Sequence, residues 1–393
     1  MKIAIKATHI TCGGGLTHLN KMIEWFARLA PERKFVVLGK SGQEKLFIEA
    51  PVNFEYRFFR APSLNLFAQV YWERYRLPGI VKEIGCDLLF EPGNYGVKNV
   101  HCPKVTMIHN AAPFDDQYIK KENPYQKMRL KLLKKATIGG MRSSQGIIYH
   151  SEYSRDFYSG YIDNSKQKTA AILNGRPELA EPADDTDVLR RYGIQGEYIL
   201  SVSHIYRYKK AREMVQSYLH ALGTNPDLPP LFIAGGHYDL KYVEQIKHMI
   251  RKQSRSDQVH FLGAVPESDL QALYRNCRAF LFSSVPRTCS AILIEAMTHG
   301  CAMVCSNRGV IPEVTEGAAL YYDPDDIEDC ASKIRAVIED EDLNLFLRGK
   351  SLTRSEFFSW KKTAKKTLAF FDDVLSTPRR DSSETSKRQK VTV

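Results

Sequence analysis

A chain of 393 residues is too long for one ordinary domain, and two domains of about 180 residues each are expected. Its composition, 43% hydrophobic and 26% charged, argues against a disordered chain, and no run approaches the roughly 20 apolar residues that span a bilayer. The formal net charge of +11 asks for an anionic partner: nucleic acid, a phospholipid surface or a phosphorylated small molecule.

The opening MKIAIKATHI reads as a short apolar strand without the long core of a signal peptide, so export is not expected. CGGGLTHLNKMIEWF follows it. Its glycines let a backbone approach a ligand closely, and the helix after them points free N–H groups at whatever sits there. A tight strand-to-helix turn would look the same. KFVVLG, DLLFEP and KVTMIH read as further buried strands separated by helical patterns such as LTHLNKMIEWFARLA. His109 closes the last of these strands, before the small-residue turn NAAPF, where a neutral imidazole can hydrogen-bond a substrate hydroxyl. YQKMRLKLLKKATIGGMR then carries six Lys and Arg and no acid. It is either a solvated helix face packed on its own domain or a helix lying on an anionic membrane surface through residues 127–142.

After GIIYHS, the Pro- and Asp-rich segment ILNGRPELAEPADDTDVLRRYG reads as a linker, and the strand rhythm restarts with EYILSVS, LFIAGG, VHFLG, AFLFSS and AMVCSN. The boundaries expected are 1–180 for the first domain, 181–360 for the second, 361–375 for an amphipathic terminal helix able to cross back to the first domain, and 376–393 for a disordered basic tail. The fold class is α/β: two doubly wound domains facing a cleft, with ligands at the carboxyl ends of the strands.

In the second half, His204, Arg207, Lys209, Lys210 and Arg212 fall within nine residues just beyond a strand. A pyrophosphate would relieve their repulsion; a solvated basic loop is the plain alternative. After AFLFSS, the loop VPRTC leads into the helix SAILIEAMTHG, which Thr288 or Ser290 can cap and whose first amides, at Ala291 onward, can face the same diphosphate. Glu295 sits in this apolar helix and needs partners, which the vicinal hydroxyls of a ribose would supply. The eight cysteines, at 12, 86, 102, 277, 289, 301, 305 and 330, form no C-x-x-C pair and fit reduced thiols better than disulfides or zinc.

VHFLGAVPESDLQALYRNCRAFLFSSVPRTCSAILIEAMTHGCAMVCSNRGVIPEV resembles the donor-binding half of a retaining GT-B glycosyltransferase of the family-4 (group 1) type. The resemblance extends to the glycine-rich first loop, the HN after KVTMI, SEYSRDFY, ILNG and the FSW of the last helix. It implies GT-B architecture and a nucleoside-diphosphate sugar as co-substrate, with no metal and no other cofactor. It places Gly13, Gly14, Gly15 and His109 on the acceptor side and at the transferring sugar. The family's basic pair falls on His204 and Lys209, with histidine replacing arginine and Arg207 nearby as a substitute. Gly263 to Val265 match the segment that receives the nucleobase. The family's E-x7-E pair falls on Arg287 and Glu295, so the first glutamate is lost, and the usual GFG has become Thr288–Cys289–Ser290.

Catalytic roles are therefore expected for His109 and Lys209, and donor contacts for Gly14, Gly15, His204, Arg207, Lys209, Gly263, Val265, Arg287, Thr288, Ser290, Ala291 and Glu295. Sugar transfer to a hydroxyl acceptor, such as a lipid-linked glycan, is expected in the cytoplasm or at the inner face of the membrane. Arg287 either reads a different donor sugar or marks an impaired, binding homologue. A sugar-nucleotide epimerase or phosphorylase would share the fold. Nucleic-acid binding is not expected, because the basic residues fall in separated segments.

Overall fold

The computed structural model describes residues 1–376 except 12, 61–65, 95, 110, 180–183, 238, 286, 287, 289 and 290. Arg287, Cys289 and Ser290, and the expected tail beyond Ser376, thus lie outside the described residues.

The first domain is built on seven parallel strands, β1 (Lys2–Lys6), β2 (Lys34–Lys40), β3 (Phe54–Phe59), β4 (Leu88–Glu91), β5 (Lys104–Ile108), β6 (Gly146–Tyr149) and β7 (Lys168–Ala171), in the spatial order β3-β2-β1-β4-β5-β6-β7. The second has six, β8 (Ile199–Val202), β9 (Leu231–Ala234), β10 (Val259–Gly263), β11 (Ala279–Phe282), β12 (Met303–Ser306) and β13 (Ala319–Tyr322), in the order β10-β9-β8-β11-β12-β13. Both sheets are parallel throughout, so every connection is a crossover and both faces carry helices. That is the GT-B arrangement of two Rossmann-like domains.

Sequence reading found the central strands and missed β3, β7 and β13. All three are sheet edges, and all are only partly buried. β3 carries Glu55 and Arg57 and β7 opens on Lys168 and Thr169, which breaks the apolar signal that marks β4 and β8, each wholly buried, while β13 (ALYY) is a short apolar stretch that the reading passes over.

The strand order fixes where ligands can lie. In the first sheet the winding reverses between β1 and β4, and in the second between β8 and β11. At such switch points the loops at the carboxyl ends diverge and leave a crevice. The Gly13–Leu29 helix follows β1, and the Ala291–Thr298 helix follows β11, so both motif helices begin at a switch point.

The chain then recrosses. The Glu341–Ser355 helix stays on the second domain, with Leu347 in its core. Phe358 packs in the second domain, whereas Trp360, Ala364, Leu368, Phe370, Phe371 and Val374 join the core of the first. The Trp360–Ser376 helix lies along the Gly13–Leu29 helix and is pinned by ion pairs from Arg33 to Asp372 at 2.9 Å and from Lys168 to Asp373 at 2.6 Å. The two interdomain passages touch at Gly175, where an added Cβ would lie 2.2 Å from the Trp360 backbone nitrogen. Only glycine allows that approach.

Candidate active site

The first-domain side of the cleft is centred on His109, which follows β5. Its backbone N–H donates to Asn94 Oδ1 at 2.9 Å, and its ring Nδ1 shares a hydrogen bond of 2.9 Å with His150 Nε2. His109 and His150 are adjacent because β5 and β6 pair with Ile108 opposite Tyr149. A third imidazole, His18 of the Gly13–Leu29 helix, stands edge-on to both, with ring centroids 5.0 and 5.5 Å away, and is anchored by Asn174 Oδ1 at 2.9 Å. Burial drives all three pKa values down: to about 4 for His18, to about 3 for His150, and well below the ordinary histidine value for His109. They are neutral groups at any physiological pH.

Gly13 takes a positive φ of 63° and starts the helix; side-chain carbons added at Gly13, Gly14 or Gly15 would meet nothing within 4 Å. The glycines therefore leave open space beside the helix mouth. Glu91, at the end of β4, is wholly buried and accepts hydrogen bonds from Val97 N at 2.6 Å and Thr106 Oγ1 at 3.0 Å, which ties down the loop carrying Asn94.

On the second-domain side, Lys209 ends a short 3-10 turn, Arg207–Lys209, and its carbonyl accepts from Ser283 Oγ at 2.9 Å. The loops after β8 and β11 thus meet directly at the switch point. Burial alone pulls the Lys209 pKa down to about 8. No carboxylate among the described residues forms an ion pair with it, so the site holds a partly desolvated cation that an anion would stabilise. His204 accepts from Gly236 N–H at its Nδ1, 3.0 Å away; desolvation, then the nearby Lys209, lower its pKa.

Arg207 is held differently. Its guanidinium pairs with Asp239 at 3.0 Å, reaches Gln245 at 3.3 Å and lies over the Tyr242 ring. Engaging a phosphate would require it to leave Asp239. Lys210, in left-handed geometry with φ 54°, is ion-paired with Asp325, and Arg308 binds Asp323 at 2.7 Å. The acidic run at 323–326 is therefore occupied by cations of its own domain.

Glu295 lies in the second turn of the Ala291–Thr298 helix, only partly exposed. Desolvation raises its pKa, opposed by a hydrogen bond from the buried Tyr274 hydroxyl at 3.2 Å. Gly263 ends β10 at φ 71°, and Val265 packs against the second-domain core. Thr288 is the one described residue of the Arg287–Ser290 stretch.

Among the described residues, several contacts cross the cleft. Thr288 Oγ1 donates to the His109 carbonyl at 3.0 Å. The Glu313 carboxylate accepts the backbone N–H groups of Glu152 and Tyr153, both at 2.8 Å, and so caps the first-domain helix Glu152–Ser159. The Arg207–Lys209 turn lies against the first-domain helix Asp116–Lys121. The structure thus brings His109 and Thr288 together, and, within the second domain, groups His204, Lys209 and Ser283. Sequence reading missed His18, Asn94, His150, Asn174, Tyr274 and Glu313. A usable signal existed for His150: like His109, it is a histidine immediately following a strand.

Residues 190–349 match the family model for glycosyl transferases group 1. These residues form a glycosyl transferases group 1 domain. Over 190 residues the chain is 27% identical to O-antigen chain mannosyltransferase B of Escherichia coli, covering 48% of this chain and 49% of that relative. The chain spans about half, or less, of the length of the curated relatives it matches first. In fold it is similar to sucrose-phosphate synthase of Thermosynechococcus elongatus, with a TM-score of 0.74 over 96% of this chain and 99% of that one at 16% identity. It is also similar to Anabaena Alr3699/HepE, solved in complex with UDP, with a TM-score of 0.68 over 95% and 100% of the two chains at 17% identity.

Proposed function

We propose that this protein transfers a sugar from a nucleoside-diphosphate sugar to a hydroxyl acceptor, with retention and without a metal, in the assembly of a cell-surface polysaccharide or lipopolysaccharide. The observation that carries this reading is Lys209: a cation at the switch point, desolvated, whose pKa is depressed by burial with no carboxylate among the described residues to offset it. A diphosphate between the β8 turn and the Ala291–Thr298 helix supplies the missing counter-charge. As the bond from the anomeric carbon to the diphosphate breaks, charge grows on the leaving oxygen, and Lys209 and the helix amides stabilise it more strongly than in the ground state. The acceptor oxygen then bonds the anomeric carbon, and its proton passes to the oxygen of the departing diphosphate.

Glu295 takes the ribose hydroxyls, and the segment Gly263–Val265 receives the base. His109 and the space beside Gly14 and Gly15 serve the transferring sugar and the acceptor. One relative is a mannosyltransferase and a fold neighbour was solved with UDP-glucose, so mannose and glucose donors of guanosine and uridine diphosphate are the first to test.

The acceptor is read as membrane-borne. The Pro124–Arg142 helix buries Leu130, Leu133 and Met141 against its own domain, yet exposes Tyr125 (63%), Met128 (49%) and Leu132 (40%). Pro124, Met128 and Leu132 line one concave surface with Lys127, Lys131 and Lys135. Apolar residues flanked by lysines suit an interface with anionic headgroups. No described helix is long and apolar enough to cross a membrane.

The test is release of nucleoside diphosphate from a panel of nucleotide sugars with and without glycan acceptors, with the product's anomeric configuration read by NMR. Acceptor-dependent release with retained configuration is expected. Isomerised donor without acceptor would mean an epimerase instead.

A further inference from the structure

Cys86 stands just before β4 and Cys102 just before β5. The two strands pair in parallel, with Leu89 opposite Lys104, so their amino ends lie side by side. The pairing brings the two cysteines, 16 residues apart in the chain, to an Sγ–Sγ distance of 3.5 Å. His101, the neighbour of Cys102, adds a ring nitrogen: the two sulfurs and one imidazole nitrogen all lie within 4.8 Å of one another. Among the described residues, no other three His, Cys, Asp or Glu side chains are gathered so closely. The fold makes this group, so no C-x-x-C spacing announces it in the sequence.

The backbone around the group is fixed. Asp87 N–H donates to the Lys2 carbonyl at 2.8 Å, and Leu89 N–H donates to the Pro103 carbonyl at 2.9 Å. Gly85, at φ 63°, ends the Leu77–Ile84 helix directly before Cys86. Cys86 and Cys102 are buried in the cluster that holds Val81, Ile84 and Val97, whereas His101 is exposed. Two sulfurs thus form a dry floor, and the histidine side opens to solvent. The pair Cys277 and Cys301 differs. Its sulfurs lie 3.7 Å apart, but both thiols donate to the Tyr274 carbonyl, at 3.3 and 3.2 Å, and among the described residues no third donor of this kind joins them.

Two thiolates and an imidazole suit Zn2+, while Mg2+ and Ca2+ seek oxygen ligands that this group lacks. Tetrahedral bonding at about 2.3 Å per sulfur would set the two sulfurs about 3.8 Å apart, so the observed 3.5 Å needs little adjustment. Binding releases the two thiol protons to solvent, and the ion's two charges balance the two thiolates.

We propose that Cys86, His101 and Cys102 bind a zinc ion at the amino ends of β4 and β5, with water in the fourth position. The site is structural. It lies at the opposite end of β5 from His109 and takes no part in the transfer proposed above, on which it does not depend. Its effect is on the loop between β4 and β5. That loop carries Asn94, which accepts the His109 N–H, near its start and His101 and Cys102 at its end. Zinc would fasten the far end of the segment that positions His109.

The experiment titrates Zn2+ and Co2+ into the untagged, reduced, chelator-treated full chain. Wild type should bind a single zinc ion per chain against a chromogenic chelator and gain melting temperature with zinc. Co2+ should give the intense thiolate-to-metal bands and the visible bands of a tetrahedral sulfur–nitrogen site. Cys102→Ser should lose the charge-transfer bands and the zinc-dependent gain, and His101→Gln should weaken binding roughly 100-fold, the upper end of what changes beside a metal ligand cost. Cys277→Ala should bind as wild type does. A wild-type cobalt spectrum without thiolate bands overturns the proposal, as does zinc affinity that His101→Gln leaves unchanged. Loss of binding in Cys277→Ala in place of Cys102→Ser would put the ion elsewhere and overturn it too. If Cys102→Ser does not fold, the wild-type cobalt spectrum and the variant of the exposed His101 decide the matter.

Discussion

The side-chain hydroxyl of Thr288 donates a 3.0 Å hydrogen bond to the backbone carbonyl of His109, joining the loop after β11 to the loop after β5. It is a short polar link between the two halves of the candidate site. A neutral hydrogen bond of this kind contributes about 1 kcal/mol, a shift of roughly fivefold in a two-state equilibrium. Thr288→Val keeps the shape and removes the donor, so it should raise the population of an opened cleft by about that factor. Small-angle scattering of both proteins without ligand checks this. Superimposable curves would mean that other contacts, Glu313 with the Glu152–Ser159 helix among them, set the closure.

Glu295→Gln should weaken nucleoside diphosphate binding roughly 10- to 100-fold, the worth of charged hydrogen bonds to a ribose. Tyr274→Phe should act in the same direction and also lower the melting temperature. It strips a donor from a carboxylate whose ionised form burial already disfavours. Calorimetric titration of the free nucleotide separates binding from catalysis. Equal affinities in wild type and Glu295→Gln would remove the ribose role.

The legible part of the molecule was the part whose signal is local. Buried central strands announce themselves by unbroken apolar runs, and His109 and Lys209 stand beside strands that could be read directly. The edges β3 and β7 interrupt theirs with charged or polar residues. Partners brought together only by the fold were illegible. His18 and Asn174 are 156 residues apart, His109 and His150 are 41, and Glu313 lies 161 from the helix it caps. Arg207 teaches a related lesson: its place in a basic cluster suggested a phosphate contact, while Asp239, 32 residues on, holds its guanidinium in the structure.

Membrane association should depend on Lys127, Lys131 and Lys135. Lys134 belongs to the inner face, near Asp116 at 3.4 Å and over the Phe114 and Tyr161 rings. Replacing the three outer lysines with glutamine should cost about 3 kcal/mol of binding to anionic vesicles, at about 1 kcal/mol per charge, and leave the melting temperature unchanged. Lys134→Gln should do the reverse. Co-sedimentation at low and raised salt measures both. Vesicle binding that the triple variant does not alter would make the helix a solvated face.

Arg287, where the resembled family has a glutamate, should help choose the donor sugar. A guanidinium pairs bidentately with a carboxylate or a phosphate. Arg287→Glu is therefore expected to reorder kcat/KM across a donor panel and not simply to raise it. An unchanged ranking at full activity would make the side chain a bystander. A large gain on a common donor would mean that the natural protein is the impaired form.

The most direct test is the pH dependence of nucleoside diphosphate binding. Folding lowers the Lys209 pKa to about 8 from an ordinary 10.5, so the folded, empty site penalises the ammonium below pH 8 and is relieved of that penalty as pH rises toward 10.5. A bound diphosphate reverses the preference and holds the proton. Affinity should be full below pH 8 and then fall by up to tenfold per pH unit above it, with proton uptake on binding, measured by calorimetry in buffers of different ionisation enthalpy. Lys209→Arg should bind with no such fall, and Lys209→Met should bind weakly at every pH. Wild-type affinity that is flat from pH 7 to 9.5, or equal in Lys209→Met, would contradict a diphosphate held by Lys209.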